Sequence, residues 1–405
     1  MKTKIRFIDV FFILGILLMI FSDLFALLSY SFNYIDEILS IISGFLILFT
    51  LISYGLNKDK LQLLSILIFF TIFGVICNFV SGIQNNLFVI FIDILSFNKL
   101  FIIFIGFDIM LKKNINLKKD LKIIYIILKI YIYILFIFAF LNLFIDLGMS
   151  IEERYGIKDF SFIYGIPGII INHCSYFLIM NFVFKNNNTK LKFSLDSLIG
   201  CLVILSTLKT RGFVLCVIFI VLNLYNKYKF KINKKILIAS IIALTILVGY
   251  SQFEFYFLSG RTVRSLFFTK SFDLANTYFP FGTGFSTYGT GAAATFYSPL
   301  YYTLGFSEIY GLTPDNKLFL VDTFWPAILG QFGYFGFLLY LSSFIIFLKQ
   351  LRNKYGKFHR MILYFFIFDL IFSSVQSAFV TSCSAVCLLV ISMSSLHYLD
   401  KGDIV

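Results

Sequence analysis

Apolar runs of about twenty residues recur along almost the whole chain, and each is long enough to cross a hydrocarbon core of roughly 30 Å as a helix. Lipid offers a peptide group no hydrogen-bond partner, so such runs must close their backbone bonds as helices or as a closed barrel. The runs are continuous rather than alternating, which selects helices. Only 14% of the 405 residues are charged and 59% are hydrophobic, whereas a water-soluble domain carries about a quarter charged residues. The expected fold class is an all-α polytopic membrane protein, forming a single integral membrane domain over residues 1–405.

Spans are expected at about 7–30, 36–55, 61–80, 88–110, 123–146, 163–184, 195–208, 212–226, 236–253, 323–348, 361–380 and 382–398, roughly twelve in all. The first run is too long for a signal peptide and has no clear small-residue cleavage site, so it reads as an uncleaved span. Basic residues fall in alternate loops. They gather at Lys2, Lys4 and Arg6, at Lys58 and Lys60, at Lys112–Lys122, at Lys185–Lys192, at Lys227–Lys235 and at Lys349–Arg360. The positive-inside rule makes that side cytoplasmic and puts both termini there. These clusters also account for the net charge of +13 without nucleic-acid binding.

The opposite loops are then extracytoplasmic. Two matter most: a charged one at about 147–162, and a long polar one at about 254–322, which is too polar to sit in lipid. Four arginines face this side: Arg154, Arg211, Arg261 and Arg264. The planar fork of arginine suits phosphate oxygens better than lysine does. Arg211, in a tight turn between two spans, either snorkels to the interface or grips an anionic headgroup. Arg261 and Arg264, three apart, either bridge to Glu254 or Asp273 or form a pyrophosphate clamp. Gly282 and Gly284 either permit a sharp turn or present amides to an anion. Tyr288 and its neighbouring tyrosines are interfacial anchors or sugar contacts. Asp322 is a helix cap or a general base. His173 is a satisfied packing residue or a substrate contact. Asp93 and Lys99, within the fourth span, pair with each other or line a cavity. The six cysteines show no metal-ligand spacing, and no metal and no cofactor are expected.

Together these features resemble the bacterial O-antigen polymerase and ligase superfamily, most closely the Wzy-type polymerases of surface polysaccharide assembly. The Ser206…Thr210-Arg211-Gly212 turn is similar to the family's Ser-Arg-Gly turn. Pro280-Phe281-Gly282-Thr283-Gly284-Phe285…Tyr288-Gly289 is similar to its Pro-x-x-Gly-x-Gly segment. Gly330-Gln331-Phe332-Gly333-Tyr334-Phe335-Gly336 resembles the glycine run of its late helix. Arg154 and Gly165 fit an Arg-x10-Gly spacing, but Phe272 and Ala275 stand where the glycine would follow Arg261 and Arg264. Asp322 stands where the ligases carry a histidine. The resemblance implies a GT-C-type membrane glycosyltransferase that joins undecaprenyl-diphosphate-linked oligosaccharide units without a metal. Arg211, Arg264 and Asp322 would be its catalytic residues; Arg154, Arg261, Gly282, Gly284, Tyr288 and His173 would bind substrate. A chain-length regulator, a flippase and the lipid bilayer are the implied partners. An O-antigen ligase, a lipid-linked oligosaccharide flippase and a non-catalytic scaffold are the alternatives.

Overall fold

The structure, a computed structural model, describes residues 7–112, 117–154, 156–185, 194–228, 250, 254–255, 260, 262–355 and 360–402. Among these residues the chain is almost wholly helical. Helices α1 (Phe7–Ile20) and α2 (Ser22–Ala26) lead through a 3-10 turn at Tyr30–Tyr34 into α3 (Ile35–Ser53). There follow α4 (Lys58–Ser81), α5 (Leu87–Leu111), α6 (Leu117–Asn142), α7 (Pro167–Lys185), α8 (Leu195–Ser206) and α9 (Thr210–Tyr228). The long polar segment is itself folded, with α10 (Val263–Thr277), α11 (Gly291–Thr295) and α12 (Pro299–Thr303). Helices α13 (Trp325–Tyr355), α14 (Arg360–Gln376) and α15 (Cys383–Gly402) complete the described chain. A two-residue hairpin is the only departure from helix and loop among the described residues: β1 (Glu153–Arg154) lies antiparallel to β2 (Ile157–Lys158), with Glu153 opposite Lys158.

Among the described residues seven helices, α3 to α7, α13 and α15, are long and apolar enough to cross a membrane; α1, α8, α9 and α14 are shorter and apolar. The expected span at 236–253 lies outside the described residues except for Tyr250. The first run differs from expectation: α1 stops at Ile20, and the chain turns through α2 instead of continuing to residue 30. Exposure grades the helices. Only 22% of the apolar window of α3 is buried inside the protein, against 83% for α7, so α7 is interior and α3 lies at the rim. On α3 and α4 the large side chains Phe45, Phe49, Ile52, Phe69 and Phe79 stand exposed. A water-soluble surface would not carry such a patch, and lipid contact explains it.

Helix α13 is broken. Gly333 has φ 59 and ψ −167, outside the helical region. The break admits the Pro280–Gly289 segment, which dips into the bundle between α4, α5 and α13, and Gly282–Gly289 are buried. A buried backbone must find partners, and here side chains of the spanning helices provide many of them. Asn78 accepts from the Phe285 amide at 2.7 Å and donates to the Phe285 carbonyl at 2.9 Å. Ser81 donates to the Thr283 carbonyl at 2.6 Å, and Asp93 accepts from the Ser286 amide at 2.6 Å. Freed carbonyls beside the break take the rest: the Gly284 amide donates to the Gln331 carbonyl at 2.7 Å. Gln331 Nε2 in turn donates to the Tyr288 carbonyl at 2.7 Å. The Phe285 ring anchors the segment among Phe70, Phe97 and Phe332, with centroids 5.9, 6.1 and 4.7 Å away.

Two glycines make this fit possible. A Cβ on Gly282 would lie 2.3 Å from the Gln331 carbonyl oxygen. Gly284 has φ +90, and its Cβ would lie 2.6 Å from the Asn78 backbone nitrogen. Both clashes are with backbone, which cannot move aside.

Replacing Asn78 by Leu strips partners from two buried backbone groups, each worth about 1–3 kcal/mol. The expected outcome is a marked drop in the thermal midpoint of the purified protein in detergent, larger than that of Asn85→Leu on the exposed loop. Equal midpoints for the two variants would show that the segment does not depend on Asn78.

Candidate functional site

At the end of the bundle that carries residues 143–166, 207–209 and 262–324, three loops converge. The first is built on Asn142 and Asp159. Buried Asp159 accepts from the amides of Ile151 and Glu152 at 2.8 and 3.0 Å, and Asn142 donates to the Ser150 hydroxyl at 2.8 Å. This braces the small hairpin and aims Arg154 at Glu152, with its Nε at 2.9 Å and its Nη2 at 2.5 Å. The second loop is the turn between α8 and α9. The Phe160 amide donates to the Ser206 carbonyl at 3.0 Å and ties this turn to the first loop. Leu208 takes a left-handed φ of 51, a conformation that costs about 1–2 kcal/mol for an L-residue. It brings Lys209 to Glu152 at 3.7 Å.

The third loop contributes α10 and the residues before α13. A capping box, Thr262 with Ser265, starts α10 and fixes Arg264 in its first turn. Arg264 Nη2 lies 3.4 Å from Asp322 Oδ2. Lys209 is near enough to act on Asp322 as well. The result is one bay in which Arg154, Lys209 and Arg264 alternate with Glu152 and Asp322. Crowding raises the Asp322 carboxyl above the ordinary aspartate range through burial, against the opposing pull of Arg264 and then Lys209. Burial likewise lowers Lys209, helped by the positive charge of Arg154 and opposed by Glu152 and Asp159. Such a bay can hold a multiply charged anion on its cations, and it sets beside them a carboxyl with raised proton affinity.

The structure therefore brings together three of the residues singled out in the sequence, Arg154, Arg264 and Asp322. It adds Lys209 as their link. That lysine is visible in the Lys209-Thr210-Arg211 turn, but nothing local shows that it reaches two other loops. Asp273, a possible partner of the clamp arginines by sequence, pairs with Lys270 at 3.2 Å instead. Arg261 lies outside the described residues.

Arg211 is placed differently. It points into the bundle, where its Nη2 donates to Asp369 Oδ1 at 2.8 Å on α14. Its guanidinium also lies 4.7 Å from the centre of the Phe379 ring. Ser373 donates to the same Asp369 oxygen at 3.0 Å. Gly282 and Gly284 lie in the re-entrant segment, with the Gly284 amide spent on Gln331. Tyr288 is fully buried, its hydroxyl donating to the Phe267 carbonyl at 2.7 Å. Among the described residues of the long segment, Tyr302 and Tyr310 are the exposed tyrosines. His173 is buried in α7, with Nε2 2.7 Å from the Ile20 carbonyl and Nδ1 3.2 Å from the Tyr131 hydroxyl. Asp93 and Lys99 do not pair: Asp93 holds Ser286, and Lys99 pairs with Asp36 and Glu37.

Fold and bay define the class: a multi-pass, all-helical membrane protein with a cation-lined bay at one end. No family model matches the chain, and neither does any curated protein or any solved structure.

Two outcomes follow from these pairings. Arg211→Ala strands the Asp369 carboxylate in the bundle and should destabilise the fold by about 3–5 kcal/mol, while Arg211→Met with Asp369→Leu should recover most of that loss. Denaturant unfolding in detergent reads both, and a fully stable Arg211→Ala variant would contradict a structural role. For Asp322, the folded state holds a proton at pH values where the unfolded chain has released it. Stability contributed by this group is therefore lost as pH rises from the ordinary aspartate range through its folded pKa. Arg264→Gln should move the Asp322 titration further up, as followed by carbon NMR of labelled aspartate; a downward move would contradict the placement of Arg264.

Proposed function

We propose that this chain is a membrane glycosyltransferase that polymerises lipid-linked oligosaccharide units on the outer face of a bacterial inner membrane. About twelve spans and cytoplasmic termini belong to the same reading. The donor is a growing glycan on undecaprenyl diphosphate, and the acceptor is a single repeat unit on the same carrier. The polymer is O-antigen or a capsular polysaccharide. The observation that carries the reading is the convergence of Arg154, Lys209 and Arg264 around Glu152 and Asp322, at the membrane end of three loops.

In this mechanism an acceptor hydroxyl attacks the anomeric carbon of the donor. The bond from that carbon to the diphosphate oxygen breaks, and the electron pair leaves with the diphosphate. Arg264 and Lys209 stabilise the charge that grows on the leaving group, and Arg154 holds its outer oxygens. Asp322 takes the hydroxyl proton; its raised proton affinity suits a general base. Arg211 braces the turn from below, through Asp369. Both substrates are confined to one leaflet, so alignment is the larger part of the work.

A strain lacking the gene should lose its long-chain glycan ladder on a gel and keep a single repeat unit on the carrier. Restoring the gene should restore the ladder. Lys209→Ala and Arg264→Ala should each cut polymerisation by about 10²-fold, with expression unchanged. A full ladder from the Arg154/Lys209/Arg264 triple alanine variant would end the proposal. Full-length chains stranded on the carrier in the deletion strain would assign a ligase instead.

A further inference from the structure

A second group of charges shares no residue with the bay. At the start of α3, Asp36 and Glu37 meet Lys99 of α5. Lys99 Nζ is 2.7 Å from Glu37 Oε1 and also contacts Asp36. The side chains of Lys99 and Asp36 are 3% and 1% exposed, while that of Glu37 is 19% exposed; Glu37 is the member that reaches the outside. Lys99 sits twelve residues into α5, about 18 Å along the helix. Lys99 thus stands near the middle of a membrane-length helix, while Asp36 and Glu37 lie in the first turn of α3.

The charges here do not balance. One ammonium faces two carboxyl groups. The two carboxyls also lie within hydrogen-bonding reach of each other. Asp36 Oδ1 and Glu37 Oε2 are buried with no hydrogen-bond partner, and so is the Ser40 hydroxyl one turn further on. Among the described residues, no second cation acts on Glu37 from the surrounding elements. Cys383 of α15 faces Asp36 and Lys99, and Asp23 of α2 lies beside Cys383. Tyr34 immediately precedes α3, and α1 carries only Asp9 as a titratable side chain. Two carboxylates in contact repel, and a surplus buried charge in a membrane helix is costly. One proton on Glu37 Oε2, donated to Asp36 Oδ1, removes the surplus charge and supplies the missing donor together. Asp36 then remains the ionised partner of Lys99.

We propose that the Asp36–Glu37–Lys99 triad is a proton-binding site inside the membrane, occupied by one exchangeable proton on Glu37. The step is simple transfer: hydronium gives a proton to a Glu37 oxygen and leaves as water. The site is separate from the bay and does not rest on the glycosyltransferase reading. It provides a group whose charge changes inside the fold while the rest of the triad stays fixed.

The test is an infrared pH titration of the full-length protein in lipid nanodiscs, with glutamate labelled by 13C at the side-chain carboxyl. The chain has five glutamates, and among the described residues Glu37 alone of them lies in a membrane-length helix. The expected result is a labelled carboxylic-acid band that persists at neutral pH and disappears at alkaline pH. Glu37→Gln should abolish it. Asp36→Asn should abolish it too, because one carboxylate then balances Lys99 and Glu37 releases its proton. A band that survives in Asp36→Asn overturns the shared site in favour of plain burial. If neither variant folds, the wild-type titration decides, since fully ionised glutamate at neutral pH overturns the proposal outright.

Discussion

A peptide group buried in a membrane protein must be hydrogen-bonded within the protein, and the arrangement around residues 282–289 depends on that demand. A non-helical segment enters the bundle here, and it can stay only because its amides and carbonyls are met one by one. Asn78, Ser81, Asp93 and Gln331 lie on three different helices and converge on it. The break at Gly333 releases carbonyls of α13, and the segment uses them. Break and segment therefore require each other: an unbroken α13 would leave the loop amides without acceptors.

Charge is distributed by the same logic. At the loop end, Arg154, Lys209 and Arg264 are half-buried, and each faces a carboxylate across water-accessible space. Deeper, Arg211 pairs with Asp369 and Lys99 meets Asp36 and Glu37, while Asp93 is held by the Ser286 amide. At the opposite end, Asp108 is gripped by Lys60 and Lys354 and ties α4, α5 and α13 together. A screened bay can exchange its partners for a ligand. A closed pair cannot do so without exposing a bare charge.

The helices were legible because lipid imposes a one-dimensional rule: length and hydropathy suffice. The short first helix was not, because its apolar run continues past the turn at Phe21 and hydropathy cannot see a bend. The polar bay was partly legible. Arg154, Arg264 and Asp322 stand out as charges in loops of an apolar chain. Lys209 and Glu152 needed three dimensions, since each gains its meaning from partners on another loop. Arg211 was misleading for the same reason. Its position at a span end reads as a surface charge, and only the distant Asp369 turns it inward. The glycine-rich segment was legible as a turn but not as a re-entrant one. Its cause is the crowding at Gly282 and Gly284, which local sequence does not encode.

The folded long segment has its own small apolar core around Phe267, Tyr288, Tyr301 and Phe306. Tyr288 belongs both to that core and to the stretch bound by Gln331. That small core is thus moored through Tyr288 to the stretch that three spanning helices hold. Moving that core away from the bundle would strain the bonds that hold the re-entrant backbone.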